Sequence, residues 1–183
     1  KYPQLEAVEE YAAKETWIPG LHTLNAPLAC EYKNANELEA SDDLGLKYAD
    51  SLKALLDLET KYTTSKDDLS KLNAVDYSTE IGGGLAIERV AVVQQGNWIG
   101  PELKGIDETI ADKIGILPLP IKGVKEDCIP VGISIKWCIN SQSDEKVKEA
   151  SKQFINWLFQ SDEGKKIVVD DFGCVPAFDN YDD

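Results

Sequence analysis

Apolar positions along the chain recur at helical spacing in two long stretches and alternate in several shorter ones. In "SDDLGLKYADSLKALLDLETKY", Leu44, Tyr48, Leu52, Leu55, Leu56 and Leu58 mostly follow the helical period. Ser41 or Asp42 stands ready as N-cap, so the spacing predicts a helix over 44–62. Ser143 caps a second helix over 144–160, whose stripe is Val147, Ala150, Phe154, Trp157 and Leu158. "SDEG" at Ser161 opens a shorter one that ends at "FGCVP", with Gly173 as C-cap and Pro176 blocking continuation. Three stretches read as strands. Val90–Gln94 is short and apolar; "KIGILPLP" (113–120) is closed by its prolines; and "VGISIKWCIN" (131–140) alternates Ile133, Ile135, Trp137 and Ile139 with small or polar residues. This pattern assigns Trp137 and Trp157 to the core. Between the first helix and the first strand lie a polar connector, "TTSKDDLSKLNAVDYSTE", and "IGGGLAIERV", a loop or glycine-broken helix. There is no internal repeat and no low-complexity tract. Helices interspersed with strands over 183 residues give an α/β class and a single domain, 1–183.

Charge removes whole classes of partner. The 19 Lys and Arg stand against 33 Asp and Glu, a net charge of -14 with no local basic cluster. Such a surface repels phosphate backbones and anionic membranes, so no nucleic acid is expected as a partner. No apolar run approaches the roughly 20 residues of a membrane span, and no charged-then-apolar leader opens the chain. The start at Lys1 suggests a processed or trimmed product. Methionine is absent, where average usage predicts a few. The four cysteines, Cys30, Cys128, Cys138 and Cys174, form no CxxC pair and have no metal-ligand spacing. Along one extended segment Cys128 and Cys138 would lie roughly 33 Å apart, far beyond the ~7 Å a bridge tolerates. Free, buried cysteines are therefore expected, and no metal or other cofactor.

Catalytic signatures are missing. The single His22 excludes a His-rich metal centre, and no GxSxG elbow supports a Ser-His-Asp assembly. "IGGG" (81–84) lacks the Lys-Ser/Thr that would complete a phosphate loop. Carboxylates are abundant enough to supply a glycosidase pair, but abundance is not pairing, and a solvated acidic face accounts for most of them. What stands out is Trp98, which follows the Val90–Gln94 strand on "QGNW". A large aromatic there either plugs the core or offers a flat platform.

Five segments, in order over roughly residues 11–177, resemble the extracellular solute-binding proteins of sugar-importing ABC transporters, the group that contains maltose-binding protein. "KETWIPGLHTLNAPLA" is similar to that family's aromatic segment opening a helix, and "VAVVQQGNW" to its hydrophobic strand ending in Gly-x-Trp. In that strand the family usually has Ala-Met where this chain has Ala91-Val92. "IGILPLP" resembles the strand that ends in a proline turn, "VGISIKWCIN" the strand returning from the cleft, and "EASKQFINWLFQSDEGKKIV" the family's helix pair. The resemblance implies one lobe of a two-lobe, periplasmic-binding-protein-like (type II) fold, a mixed sheet flanked by helices. The segments match the C-terminal lobe, with the N-terminal lobe and the signal or lipobox lying outside this chain.

The function implied is noncatalytic. The protein would be the substrate-binding component of an ABC importer, or its C-terminal lobe, capturing a carbohydrate or oligosaccharide and delivering it to the permease subunits. It would act as a monomer, outside the cell, as a surface lipoprotein or in the periplasm. A carbohydrate-active hydrolase and a protein-interaction domain are the alternatives. The matching Gly-x-Trp implies that Trp98 stacks on sugar, since a rigid indole covers the C–H face of a ring at little conformational cost. Asn97 beside it would offer amide donors and acceptors to hydroxyls; the alternative is that Trp98 covers the edge of the lobe. The aromatic segment implies stacking by Trp17 with Glu15 accepting from hydroxyls, or else packing of Trp17 against the lobe. His22 and Asn25 share one helix face if the helix begins near Thr16, though a lone His there is more often a helix-surface or core residue. Gly132 and Ser134 would line the cleft as backbone and hydroxyl donors.

Overall fold

The computed structural model describes residues 2–119, 121, 125–132, 135–176 and 178–181. The chain packs as two compact units, Lys1–Gln95 with Leu103–Pro130, and Gly96–Glu102 with Val131–Asp183.

The first unit is built around a very small parallel sheet. β1 (Glu9–Glu10) pairs with β2 (Val92–Val93), Glu9 opposite Val92 and Glu10 opposite Val93. On its other side Glu9 bridges Thr63. The amides of Val8 and Glu9 both donate to the Tyr62 carbonyl at 3.1 Å, and those of Ala91 and Val92 to the Val8 carbonyl at 3.0 Å. β1 is therefore central, and both of its glutamates are enclosed.

Helices fill the connections. A π-helical segment, Ile18–Leu24, runs directly into α1 (Asn25–Glu31), where Pro27 has no N–H to give. α2 (Ala35–Glu39) is capped by Asn34. α3 (Ala49–Lys61) starts later than the periodicity predicts, because Leu46 adopts φ 49°, which no α-helix accommodates. α4 (Tyr77–Glu80), capped by Asp76, widens into a π-helical turn, Ile81–Leu85, through the glycine run. α5 (Ile99–Ile106) begins in the second unit's segment of chain, and α6 (Glu108–Ala111) follows it, capped by Asp107. Among the described residues, two apolar clusters contribute to the core. Tyr11, Ala12, Ile18, Leu72 and Val75 make one, with Ala13 and Trp17 packed against it. Ala26, Leu55 and Ile121 make the other.

The second unit centres on α7 (Glu145–Gln160) and α8 (Asp162–Lys166), followed by a π-helical turn, Ile167–Asp171. Asp144 caps α7 by accepting from the Lys146 and Val147 amides at 2.9 and 3.1 Å. Ser161 caps α8 through Gly164 N–H at 3.0 Å. Gly173, at φ 61°, closes the last turn as its sequence position predicts.

Several expectations are corrected. Among the described residues, neither 113–119 nor 135–140 joins a ladder; Pro120, Ile133 and Ser134 lie outside the description. Alternation tells which face a strand would bury, but it supplies no neighbouring strand, and Pro118 removes a donor. Ile116, Leu117 and Ile135 are consequently exposed. Of the 90–94 strand only Val92–Val93 is formed. Trp137 and Trp157, assigned to the core, are 48 % and 40 % exposed, since α7 buries only Leu158 fully and leaves the rest of its stripe open. The cysteines are free but not buried: Cys128 and Cys138 are exposed, Cys30 and Cys174 half-buried.

Candidate functional site

In the first unit the central strand delivers carboxylates to the interior. Glu9, Glu10, Glu59 and Glu80 are each no more than 2 % exposed. Glu59 arrives from α3, on the same face as Ser51 and Leu55 at four-residue spacing. Thr23 donates to Glu59 Oε1 at 2.6 Å, and its oxygen lies 3.1 Å from the Tyr11 hydroxyl. Thr64 donates to both oxygens of Glu10, at 2.9 and 2.8 Å. Glu80 accepts from the Ala12 amide at 3.2 Å and from the Gln95 side chain. Glu9 Oε2, Glu59 Oε2 and Thr63 Oγ1 are buried without a partner.

Burial raises the pKa of Glu9, Glu59 and Glu80. It pushes Glu9 up to about 8, reinforced by the like charges of Glu59, Glu80 and Glu10. Burial also raises Glu59 to about 7, against the hydrogen bond from Thr23. Glu80 rises to about 7 for the same reason, against its bonds from Gln95 and Ala12. At neutral pH Glu9, at about 8, is mostly protonated, and Glu59 and Glu80, at about 7, are roughly half so. Among the described residues no group of three or more His, Cys, Asp or Glu side chains is disposed to hold a metal ion.

The predicted binding residues fall in both units. Trp17, Glu15 and His22 follow β1 in the first unit, where Trp17 is half-buried against the core and meets the His22 ring edge-on at 5.1 Å. Tyr77 lies 6.3 Å from the same indole. Burial lowers the His22 pKa, while its hydrogen bond to the Gln94 backbone pulls the other way. The helical run begins at Trp17–Ile18, next to Thr16 as expected, and continues through His22 to the exposed Asn25, which opens α1.

Asn97, Trp98 and Gly132 belong to the second unit, and Ser134 lies outside the described residues. Gly132 is exposed and open, with nothing near the position of a Cβ. Trp98 is 39 % exposed. Its ring lies across Gly96: a Cβ there would collide with Cζ3, Cε3 and Cη2 of the indole. Asn97 Nδ2 donates to the Gly173 carbonyl at 2.8 Å. The same unit has an open groove of about 570 Å³ between α7 and the segment before it, lined by Trp137, Val147, Phe154 and Ile155 among others.

Neither the buried glutamates nor this groove was legible in advance. Hydropathy places Glu at the surface and Trp137 inside, and the structure has both reversed. The one signal for Glu59 was its place on the Leu55 face of α3. No family model, no curated protein and no solved structure matches this chain.

Proposed function

We propose that this chain is the substrate-binding component of an ABC importer, or its C-terminal α/β lobe, and that it captures a carbohydrate outside the cell for delivery to permease subunits. The observation that carries this reading is Trp98, a partly exposed indole seated on Gly96 beside a tethered Asn97. A flat, held aromatic suits the C–H face of a sugar ring. Support comes also from the order of the five family-like segments. Trp17, held edge-on by His22 and packed on the core, is a packing residue in this reading, with Glu15 and His22 around it. The raised carboxyls Glu9, Glu59 and Glu80 do not favour the hydrolase alternative, since each is enclosed.

The test is titration with a panel of neutral oligosaccharides, with aryl glycosides as hydrolysis controls. Trp98→Ala weakens binding by about 1 to 3 kcal/mol, the range for a lost stacking face, and barely alters the melting temperature. No product forms on prolonged incubation. Sugar binding indifferent to Trp98→Ala, or turnover abolished by replacing two carboxylates, sinks the receptor reading.

A further inference from the structure

Glutamate meets threonine twice across one junction of the first unit, and only one of the two pairs is closed. β1 carries Glu9 and Glu10 side by side, and the chain leaving α3 carries Thr63 and Thr64. Successive residues of an extended strand point to opposite faces, so the two pairs lie on opposite sides of β1. On one side Thr64 donates to both carboxyl oxygens of Glu10, at 2.9 and 2.8 Å. On the other, Glu9 stands opposite Thr63 in a parallel bridge, yet Glu9 Oε2 and Thr63 Oγ1 are both buried without a hydrogen-bond partner.

A further unpartnered oxygen stands nearby. Glu59 belongs to the buried face of α3, four residues before Thr63. Its Oε1 accepts from Thr23 at 2.6 Å, while its Oε2 is buried without a partner. Among the neighbouring carboxyls Glu59 acts most strongly on Glu9, so the two lie close without a direct bond. Glu80, the next in strength, has both oxygens engaged, by the Ala12 amide and by Gln95. Glu9, Glu59 and Thr63 are 2 %, 1 % and 0 % exposed, so bulk solvent satisfies none of the three oxygens. Leaving such groups unbonded is strongly unfavourable.

The donor set decides what fits between them. A buried water makes about three hydrogen bonds, to groups that protein atoms leave unsatisfied. Calcium takes about 6 to 8 oxygens and magnesium about 6 in a strict octahedron, and two carboxyls with one hydroxyl supply too few. Water also both donates and accepts, as a site combining a protonated carboxyl with a hydroxyl requires. We propose that Glu9, Glu59 and Thr63 form a binding site for one buried water, which completes the hydrogen bonding of all three and links β1 to the end of α3. The site lies wholly inside the first unit and is independent of the receptor reading above.

Two measurements on the full chain test it. An atomic-resolution crystal structure is expected to show a water about 2.5 to 3.0 Å from Glu9 Oε2, Glu59 Oε2 and Thr63 Oγ1. Oxygen-17 relaxation dispersion of the solvent reads long-lived internal waters directly and is blind to protons exchanging from the carboxyls. The double variant Glu9→Met, Thr63→Val is expected to lose the amplitude of one such water, whereas Asp144→Ala in the second unit keeps the wild-type amplitude. A folded double variant with the wild-type amplitude overturns the site, as does a direct Glu9–Glu59 or Glu9–Thr63 hydrogen bond in the crystal. So does a monovalent cation in the water's place, revealed by anomalous scattering after exchange of sodium or potassium for thallium. If the double variant does not fold, the wild-type crystal structure decides alone.

Discussion

The two units invert each other. The first encloses Glu9, Glu10, Glu59 and Glu80, and the second leaves Trp137, Val147, Phe154, Trp157 and Phe178 exposed. In the first, Glu9 and Glu10 point to opposite faces of β1 and both are buried, so both faces of the strand are covered whatever the polarity of its side chains. The interior then meets the demand chemically, by protonation and by donors from Thr23, Thr64, Gln95 and the Ala12 amide. In the second, the long helix α7 has its local requirements satisfied by a cap and its own ladder, and most of its apolar stripe remains open. Residue polarity predicts burial only where a neighbouring element allows a choice of face.

The largest effect that tests this inversion is on pH dependence. Glu9, Glu59 and Glu80 hold protons more tightly folded, at about 8, 7 and 7, than at the ordinary 4.5 of an unfolded glutamate. Folding therefore takes up protons. Their stabilising contribution is present in full below about pH 4.5 and is lost as pH rises to about 8. At about 1.4 kcal/mol per pKa unit, Glu9 alone accounts for several kcal/mol. Thermal melts from pH 5 to 8 are expected to show a falling midpoint, and Glu9→Gln to flatten that fall and raise the midpoint at pH 8. A midpoint that climbs over this range would mean that these carboxyls are hydrated.

Next comes the ordinary core of the first unit. Leu55 is 1 % exposed and packs with Ala26 and Ile121. Leu55→Ala should cost about 2 to 5 kcal/mol, the transfer term plus the cavity left behind. Denaturant unfolding followed by circular dichroism measures it, and a loss below about 1 kcal/mol would place Leu55 outside the core.

Features with local causes were legible in the sequence. The helix over 144–160, its following turn of helix from Ser161, and Gly173 as terminator all appear, because caps and left-handed closures depend on a few adjacent residues. The cap of α7 shifts by a single position, from Ser143 to Asp144. Features that depend on partners distant in sequence were not legible. Glu9–Glu10 reads as a polar stretch and is the central strand, whereas 131–140 has the better alternation and finds no ladder among the described residues. Among the candidate binding residues, the seating of the Trp98 ring against Gly96 is visible only in three dimensions.

A smaller effect is expected at the α7 cap. Asp144 accepts from two otherwise unpaired amides, so Asp144→Ala should cost about 1 kcal/mol. Asp144→Asn and Asp144→Ser should keep most of it. Equal losses in all three would show that charge, and not the cap, is what matters.

The smallest effect belongs to the exposed aromatics, and it separates the two units most directly. Phe154 is 50 % exposed, with its ring 6.2 Å from Trp137 and 5.9 Å from Trp157. Such pairs contribute only ~0.5 to 1.5 kcal/mol beyond the area they bury, and half of this ring faces solvent. Replacement by a polar residue also relieves the cost of hydrating that exposed half. Phe154→Ser is therefore expected to change stability by about 1 kcal/mol or less, even though the substitution is more drastic than Leu55→Ala. Dye binding to exposed apolar surface should fall in the variant, since the groove it helps to line becomes more polar. Chemical denaturation of both variants in one buffer decides the matter. A loss at Phe154 equal to that at Leu55 would mean that α7 is covered in solution, and the contrast between a first unit that encloses its acids and a second that exposes its aromatics would fail.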